Sequence, residues 1–230
     1  MNDVFFDDKQ AVGFQKTTLI DYPGRLAAII FFPFCNMRCP WCHNGDLILG
    51  RKRANGTGLV PLIEAVSHIK KRREVLGGVV LSGGEAALYP SLPELVSYIK
   101  RLGLAVKLDT NGSAPGVLEK LLSSRETRPD YIAMDLKIAP GRYAELLTKA
   151  ADAKNPLKNA IAGLIERSAA IVRASGVEHE FRSLRLSPPY FTEADVEALR
   201  PLAGNSVWNF RHPALKNCLD PSWNRQGDTD

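Results

Sequence analysis

Strand-like and helix-like segments alternate along this chain, and that alternation constrains its fold more than any other feature. Six segments are typical of strands, because they are either continuously apolar or alternate between apolar and polar residues. They lie at residues 26–32, 79–81, 104–108, 131–134, 178–186 and 206–211. Strands that alternate with helices in this way predict a parallel sheet wrapped by helices.

Six further segments have the apolar period of a helix. They lie at residues 61–73, 92–102, 117–122, 142–147, 157–174 and 193–202. Gly103 and Gly176 end two of them, and Thr192 is the expected N-cap of the last. Because a complete barrel needs eight strand–helix units, we expect an α/β fold of the partial (βα)6 TIM-like barrel type, with an open parallel sheet and outer helices.

Length and composition indicate one domain over residues 1–230. The chain has 230 residues, of which 45% are hydrophobic, enough for a sizeable core. No linker or internal repeat divides the sequence. We expect residues 1–24 to form an N-terminal extension and residues 220–230, which are mostly polar, to form a flexible tail.

Several features favour a cytoplasmic protein. No apolar stretch reaches the roughly 18–20 residues that a membrane span needs. The first eight residues contain neither a basic region nor an apolar one, so they do not resemble a secretory signal. Four cysteines, three of them clustered, do not form the pattern of a secreted disulfide framework.

The net charge of +5 comes largely from two basic runs, at residues 51–53 and 70–73. The second run closes a predicted helix, where cations complement the helix dipole, so a solvated helix end is the simpler interpretation. No aromatic residues interleave these charges, which argues against nucleic-acid binding. A docking surface for an acidic protein partner stays open as an alternative.

Three cysteines, Cys35, Cys39 and Cys42, lie within eight residues at the spacing C-x3-C-x2-C. Three thiolates at this spacing can each ligate one iron of a four-iron cluster, which leaves the fourth iron open to a small molecule. Zinc is the main alternative, since His43 would supply a fourth ligand, but structural zinc ligands usually come as two separated pairs. Cys218 stands alone and is expected to be a buried small apolar residue. A redox dithiol or a haem attachment site would leave Cys35 unexplained.

Polar residues and glycines follow the ends of the other predicted strands. The carboxyl ends of parallel strands meet at one edge of a sheet, where ligands bind in α/β folds. We therefore expect these residues to share one site with the cysteines. They are Ser82, Gly83, Gly84, Glu85, Asp109, Thr110, Asn111, Gly112, Asp135, Lys137, Arg182, Arg211 and, as a weaker candidate, His212.

The same residue types suit a ligand with an amino group, a carboxylate and a ribose. The glycine pair would let a ligand approach the backbone, and Glu85 lies near enough in sequence to meet an amino group. The two aspartates could bind ribose hydroxyls or a hard cation. Lys137 and Arg182 could hold a carboxylate. S-adenosylmethionine carries all of these groups, and its amino and carboxylate groups could also chelate an open iron.

These motifs resemble the radical S-adenosylmethionine enzymes. More narrowly, they resemble the glycyl-radical-enzyme activases and, within these, the activating proteins of anaerobic ribonucleoside-triphosphate reductase. The matching stretches are residues 13–24, 35–44, 79–85, 107–112, 133–137 and 180–182, and residues 209–211 are similar to the family's C-terminal strand. One departure is Ala86-Ala87, where the family usually has Pro-Thr after Gly-Gly-Glu.

The resemblance implies a 4Fe–4S cluster on the three cysteines, with S-adenosylmethionine as the second cofactor. The cofactor residues it implies are Trp41 near the adenine, Gly83, Gly84 and Glu85 at the methionine amino group, Lys137 and Arg182 near the carboxylate, and Asp109 and Asn111. It also implies a monovalent cation beside that carboxylate. Its ligands would be Asp109, Thr110, Asp135 and the carbonyl of Met134.

The function that the resemblance implies is reductive cleavage of S-adenosylmethionine to a 5′-deoxyadenosyl radical. That radical would take a hydrogen atom from a glycine of a partner glycyl radical enzyme, most closely anaerobic ribonucleoside-triphosphate reductase. The electron would come from a donor such as flavodoxin or ferredoxin. One alternative is a radical enzyme acting on a small molecule, of the 7-carboxy-7-deazaguanine synthase type, which would need a closed polar pocket. A second is a zinc-stabilised nucleic-acid-binding module, which leaves the strand-end residues unexplained.

Overall fold

The structure is a computed structural model that describes residues 10–49, 58–147 and 157–224. In these residues one sheet of eight strands forms the centre of the fold. The strands are β1 (Ala11–Thr18), β2 (Ala27–Phe32), β3 (Val60–Pro61), β4 (Gly78–Gly83), β5 (Ala105–Thr110), β6 (Tyr131–Asp135), β7 (Glu178–Leu184) and β8 (Trp208–Arg211). Their order across the sheet is β3-β1-β2-β4-β5-β6-β7-β8.

Six strands, β2 and β4 to β8, run parallel, and each lies beside the next along the chain. They correspond to the six strands that the sequence predicts. The sheet has two separate edges, at β3 and β8, so it does not close. The expectation of an α/β fold with an open parallel sheet and outer helices is therefore confirmed.

Part of the predicted N-terminal extension, residues 1–24, adds a strand to the sheet. Residues 11–18 form β1, which pairs antiparallel with both β2 and β3 and so belongs to the sheet. Its residues are mostly half-buried or exposed, and only Val12 and Thr18 are buried. A strand at this side of the sheet buries too little to show a strong apolar pattern, which is why the sequence did not reveal it.

Six α-helices lie in the described part of the chain. They are α1 (Gly45–Ile48), α2 (Leu62–Arg72), α3 (Leu92–Arg101), α4 (Pro115–Leu122), α5 (Leu157–Ala174) and α6 (Glu193–Ala203). Five correspond to predicted helices, while α1 is too short to show a helical period. None of the described helices is long and apolar enough to cross a membrane.

The helix predicted at residues 142–147 is instead a 3₁₀ turn, Pro140–Leu146. Gly141, the second residue of this turn, has a low helix propensity. Two other 3₁₀ turns are described, Ala86–Leu88 after β4 and Pro221–Trp223 near the C-terminus. The flexible tail is therefore wrong for residues 220–224, which form this last turn, while residues 225–230 lie outside the described residues.

The two faces of the sheet have different surroundings. Ile30 and Leu81 point towards the helices and belong to the large apolar core, whereas their neighbours Ile29 and Val80 point to the inner face, where they pack with Tyr22. Successive strand residues face opposite sides. Towards the carboxyl ends of the strands the inner face becomes polar. The residues there are Ser82, Lys107, Asp109, Asp135 and Arg182.

The basic run at residues 70–73 closes α2 at the amino edge of the sheet. From there the chain enters β4 through Gly77, whose N–H donates to the carbonyl of Leu26, just before β2. The cysteines follow the other end of β2, which at six residues is about 20 Å long. The run is therefore remote from the cysteines. The other basic run, at residues 51–53, lies outside the described residues.

Candidate active site

The cysteine loop, residues 33–44, connects β2 to α1 and is fixed by its own arginine. The Arg38 guanidinium donates to the carbonyls of Cys35, at 2.6 Å, and Met37, at 2.9 Å. The backbone N–H of Arg38 donates to the carbonyl of Leu146, at 2.7 Å. The loop thus folds around the Arg38 guanidinium and is anchored to the 3₁₀ turn Pro140–Leu146.

The three clustered thiols are free and line one cavity of about 340 Å³, a volume in the range of ligand sites. Burial raises the pKa of Cys35 to about 11 and of Cys39 to about 12, and it raises the pKa of Cys42 in the same direction. The thiols therefore carry their protons at neutral pH, and a metal must displace those protons to bind.

This donor set fits a four-iron cluster. Three soft sulfur ligands face one cavity, and a cluster takes each thiolate on a different iron. Within residues 10–49, 58–147 and 157–224, no group of three Cys, His, Asp or Glu side chains is placed to hold a single metal ion.

The sulfur of Cys35 accepts two hydrogen bonds. The donors are the backbone N–H of Met37, at 3.4 Å, and the side-chain amide of Asn111, at 3.8 Å. Asn111 also donates to the side-chain oxygen of Asn36, at 3.1 Å, and the amide of Asn36 donates to the Ser113 hydroxyl, at 2.9 Å. The predicted cofactor residue Asn111 therefore contacts a predicted cluster ligand directly, and the sequence did not reveal its partners.

The glycine pair at the end of β4 packs against the end of β2 and the start of the cysteine loop. Gly83 has φ +119°, and a side chain there would overlap the backbone of Phe32. A Cβ on Gly84 would lie 2.6 Å from the Phe34 carbonyl carbon and 3.0 Å from the Cys35 Cβ. The N–H of Gly84 donates to the Phe32 carbonyl at 2.7 Å. Ligand approach was the expected reason for these glycines, but the structure shows that close contact between two chain segments already requires them.

Glu85 is buried, with 2% of its surface exposed. Its carboxylate links the end of β4 to the end of β5. It accepts hydrogen bonds from the Thr110 hydroxyl at 2.8 Å, the Asn111 N–H at 2.6 Å and the Ala87 N–H at 3.0 Å. Burial raises the pKa of Glu85 to about 7, although these three donors oppose the rise. A ligand amino group at Glu85, as the resemblance implies, would compete with these bonds.

Charged residues from three neighbouring parallel strands meet on the inner face. Arg182 donates to Asp135 at 3.0 Å and to Asp109 at 3.4 Å. The Lys137 ammonium donates to Asp135 at 2.9 Å, and Lys107 forms an ion pair with Asp109. We call these five residues the charged network.

Three members of the charged network, Asp135, Lys137 and Arg182, stay ionised at neutral pH. Burial alone would raise the pKa of Asp135, but Lys137 and Arg182 outweigh it and hold that pKa well below its usual range. The carboxylates in turn hold the pKa values of Lys137 and Arg182 above their usual ranges, against the effect of burial. The network contains three basic and two acidic side chains, and the monovalent cation stays a prediction of the resemblance.

The cavity brings together almost all the residues that the sequence assigned to the site. Those at its wall are Cys35, Cys39, Trp41, Cys42, Gly83, Gly84, Glu85, Asp109, Thr110, Asn111, Asp135, Lys137, Arg182, Arg211 and His212. Met134 is fully buried and does not line it. Sequence reasoning missed Asn36, Arg38 and Ser113, although the first two lie within the cysteine motif.

Trp41 lies at the cavity wall and is backed by two other rings. Its ring centroid is 6.2 Å from that of Tyr190 and 5.4 Å from that of Trp223, and only 6% of its surface is exposed. The residue expected near the adenine is therefore held from behind by residues that come much later in the chain.

Comparison with known sequences identifies the family. Residues 29–178 match the model of the Radical SAM superfamily. A provisionally named glycyl-radical enzyme activating enzyme of Methanocaldococcus jannaschii is 32% identical over 186 residues, which cover 80% of this chain and 71% of the relative. The pyruvate formate-lyase-activating enzyme of Clostridium pasteurianum is 31% identical over 122 residues, or 52% of this chain and 48% of the relative. The chain thus spans about half the length of that second enzyme.

Solved structures show the same fold at low identity. A radical SAM methyltransferase from Sphaerobacter thermophilus superposes with a TM-score of 0.55 at 17% identity, over 84% of this chain and 57% of that chain. SuiB of Streptococcus suis, bound to its precursor peptide SuiA, superposes with a TM-score of 0.52 at 13% identity, over 81% and 38%. The matched family model contains the cysteine motif and five of the six parallel strands or parts of them. The chain belongs to the radical S-adenosylmethionine superfamily, in the branch that contains the glycyl-radical-enzyme activating enzymes.

Proposed function

We propose that this chain is an activase that generates a glycyl radical on a partner enzyme, using a 4Fe–4S cluster and S-adenosylmethionine. The observation that carries the proposal is a cavity lined by three free thiols, the glycine pair and four members of the charged network, Asp109, Asp135, Lys137 and Arg182. Similarity to activating enzymes supports the reaction class.

When bound, the cluster supplies one electron to S-adenosylmethionine, whose cleavage yields methionine and a 5′-deoxyadenosyl radical able to take a hydrogen atom from a glycine Cα. The chain itself would hold the cluster and orient S-adenosylmethionine. Cys35, Cys39 and Cys42 would hold the cluster, with Asn111 and the Met37 N–H bonded to the first sulfur. Because these groups are already held in place, less rearrangement is needed to reach the reactive geometry.

The charged network would position the methionine end of the cofactor. Lys137 and Arg182 lie at the cavity wall and are themselves fixed by Asp135. Because Arg182 and the lysine ammoniums carry donors beyond those used in these ion pairs, they can also meet a carboxylate. Preorganised charges of this kind cost little reorganisation when the ligand arrives.

The open sheet favours a protein as substrate. Its edges, β3 and β8, do not pair with each other, so a loop of a partner can reach the cavity from the side. The loop after β1 brings Asp21 to the cavity wall, where the Thr18 hydroxyl donates to its carboxylate, while its neighbours Leu19 and Ile20 are exposed. This loop lies in the stretch that resembles the anaerobic ribonucleotide reductase activases, and we therefore propose that reductase as the partner.

The electron would come from flavodoxin or ferredoxin in the cytoplasm. Such a donor must approach the cluster closely, so we place its docking surface at the carboxyl edge of the sheet. The basic run at residues 70–73 lies at the opposite edge, beside the start of β4, and is too remote to serve.

The test is anaerobic reconstitution with iron and sulfide, followed by electron paramagnetic resonance of the dithionite-reduced protein with and without S-adenosylmethionine. We expect a reduced 4Fe–4S signal that changes shape when the cofactor is added. Absence of cofactor cleavage by the reconstituted, reduced protein would contradict the proposal.

The partner is tested by incubating the reduced protein with anaerobic ribonucleotide reductase and, separately, with pyruvate formate-lyase. We expect a glycyl radical doublet on the reductase. A reductase variant with alanine in place of its radical glycine is the control and should give no doublet. A doublet on the lyase alone would overturn the choice of partner but not the reaction class.

A further inference from the structure

The segment at residues 218–224, which we call the C-terminal strap, crosses the cysteine loop from outside. Two of its backbone N–H groups donate to carbonyls of the loop. Leu219 donates to Cys42 at 2.9 Å, and Asp220 donates to Pro40 at 3.0 Å. The strap therefore pairs with the part of the loop that carries the second and third cysteines.

A glycine lets the strap approach so closely. Gly45 begins α1, directly after the cysteine loop, and a Cβ there would lie 2.8 Å from the Leu219 Cα and 3.2 Å from the Cys218 carbonyl carbon. Any side chain at this position would push the strap away. The close contact between Gly45 and the strap therefore requires the absence of a side chain at position 45.

The strap is braced internally. The side-chain oxygen of Asn224 accepts a hydrogen bond from the Cys218 N–H at 2.8 Å, which closes the segment into a loop. The Asp220 carboxylate accepts from the Ser222 N–H at 3.0 Å and so caps the turn. Cys218, which the sequence left without a role, is buried here as a small apolar residue.

Trp223 carries the strap's contact with the cavity. Its ring packs against Trp41 at 5.4 Å and against Tyr190 at 4.4 Å between centroids. Trp41 lines the cavity on its other side. A ring in contact with neighbours on several sides has few orientations, so Trp223 limits how far the Trp41 ring can turn.

We propose that the C-terminal strap is a positioning element of the cofactor site, which fixes the Cys39–Cys42 part of the loop and the Trp41 ring in the geometry that binds S-adenosylmethionine. This inference rests on the proposed function for the identity of the cofactors. None of the strap residues, 218–224, lines the cavity. The strap acts through the loop carbonyls and the ring, as a support that preorganises the groups in contact with the ligand.

The test uses full-length protein with single substitutions. Trp223→Ala removes the ring, and Trp223→Phe is the conservative variant. Asn224→Leu removes the acceptor that closes the strap, and Asn224→Asp keeps it. In each we would measure iron per chain after reconstitution, the S-adenosylmethionine concentration that half-converts the cluster signal, and the exchange rates of the Leu219 and Asp220 amide protons.

We expect Trp223→Ala and Asn224→Leu to weaken S-adenosylmethionine binding by at least fivefold and to speed exchange of both amides by at least tenfold. The conservative variants should stay within twofold of the unsubstituted protein. Equal binding in all five proteins would overturn the proposal, as would fast exchange of the two amides in the unsubstituted protein.

The melting temperature of each apo-protein distinguishes a variant that misfolds from one that folds but binds S-adenosylmethionine weakly. If Trp223→Ala does not fold, the proposal is tested by Asn224→Leu and by the amide exchange rates of the unsubstituted protein. The readouts need no partner enzyme. A protein that binds both cofactors but activates no partner would refute the proposed function and leave the strap's role standing.

Discussion

Gly84 is a residue at which a single methyl group would disrupt the site. A Cβ there would collide with the Phe34 carbonyl and press on Cys35. We predict that Gly84→Ala lowers the free energy of unfolding by about 3 kcal/mol, because two backbone segments must separate. Iron uptake should fall as well, since Cys35 moves with the loop. Urea unfolding and iron analysis measure the two effects.

Gly116 provides the matched control. It lies in α4, and a Cβ there has nothing within 4 Å. Gly116→Ala should therefore leave iron uptake unchanged and raise stability by about 0.5 kcal/mol, as alanine does within a helix. Equal stability of the two variants would contradict our account of Gly84.

Asn111 should tune the reduction potential of the cluster, because its amide donates to the Cys35 sulfur. A hydrogen bond to a ligating sulfur favours the reduced, more negative state. We predict that Asn111→Ala lowers the potential by about 40 mV, which corresponds to about 1 kcal/mol for one electron. A redox titration followed by electron paramagnetic resonance measures it.

Ser113→Ala is the control for Asn111. It removes the other partner of the Asn36 side chain but leaves the bond to Cys35 intact. Its potential should match that of the unsubstituted protein. A shift of the same size in both variants would mean that the network as a whole, and not the bond to sulfur, sets the potential.

At the scale of elements, Asp195 joins the start of α6 to the 3₁₀ turn that anchors the cysteine loop. Its carboxylate accepts from the Thr192 N–H at 2.9 Å, completing a capping box, and from the Ala139 N–H at 2.8 Å. It also pairs with Arg142 at 2.9 Å. Burial alone would raise the pKa of Asp195, but these partners outweigh it and hold the pKa below its usual value.

We predict that Asp195→Asn lowers the free energy of unfolding by about 2 kcal/mol at pH 7. A carboxyl whose folded-state pKa is depressed stabilises above its unfolded pKa, here 3.8, and loses that contribution as pH falls through the folded value. The difference from the unsubstituted protein should therefore shrink below about pH 4. Urea unfolding across pH measures this, with the exposed Glu193→Gln as control. A deficit that does not change with pH would refute it.

The elements that the sequence predicted are those whose signal is local. The six parallel strands are apolar runs or alternate between apolar and polar residues, and the N-cap Thr192 precedes its helix directly. The cysteine motif likewise stands in one short stretch. What the sequence could not show depends on distant partners: β1 is held by its neighbours β2 and β3, and the strap by the loop at residues 40–42. Glu85 was assigned to a ligand because its hydrogen-bond donors, 25 and 26 residues away, were unknown.

At the scale of the whole molecule, parallel pairing creates the charged network. Asp135 lies opposite Arg182 across β6 and β7, and Asp109 lies on the next strand, β5. These residues are 47 and 73 positions apart in sequence from Arg182. The sequence placed them at one edge through the rule for strand ends, but it could not show that they would pair with each other. The network thus both joins three strands and shapes the cavity wall.

Arg182 is the member on which the network depends, since it alone among the five contacts both carboxylates. Replacing it with glutamine leaves Asp135 paired with Lys137 alone, and leaves Asp109 with Lys107 and the Ser82 hydroxyl. We predict that Arg182→Gln lowers the free energy of unfolding by about 3 kcal/mol at pH 7. Arg182→Lys should be intermediate, because one ammonium cannot reproduce the fork that spans two carboxylates.

The pH dependence identifies the cause. The depressed pKa of Asp135 stabilises the fold above the ordinary aspartate pKa, so the deficit of Arg182→Gln should be largest at neutral pH and fade in acid. Arg125→Gln, at an exposed position, is the control and should match the unsubstituted protein throughout. Weaker binding of S-adenosylmethionine should accompany the loss of stability in Arg182→Gln, because one side chain serves both the fold and the cofactor. If Arg182→Gln loses stability but binds S-adenosylmethionine normally, Arg182 stabilises the fold but does not contribute to cofactor binding.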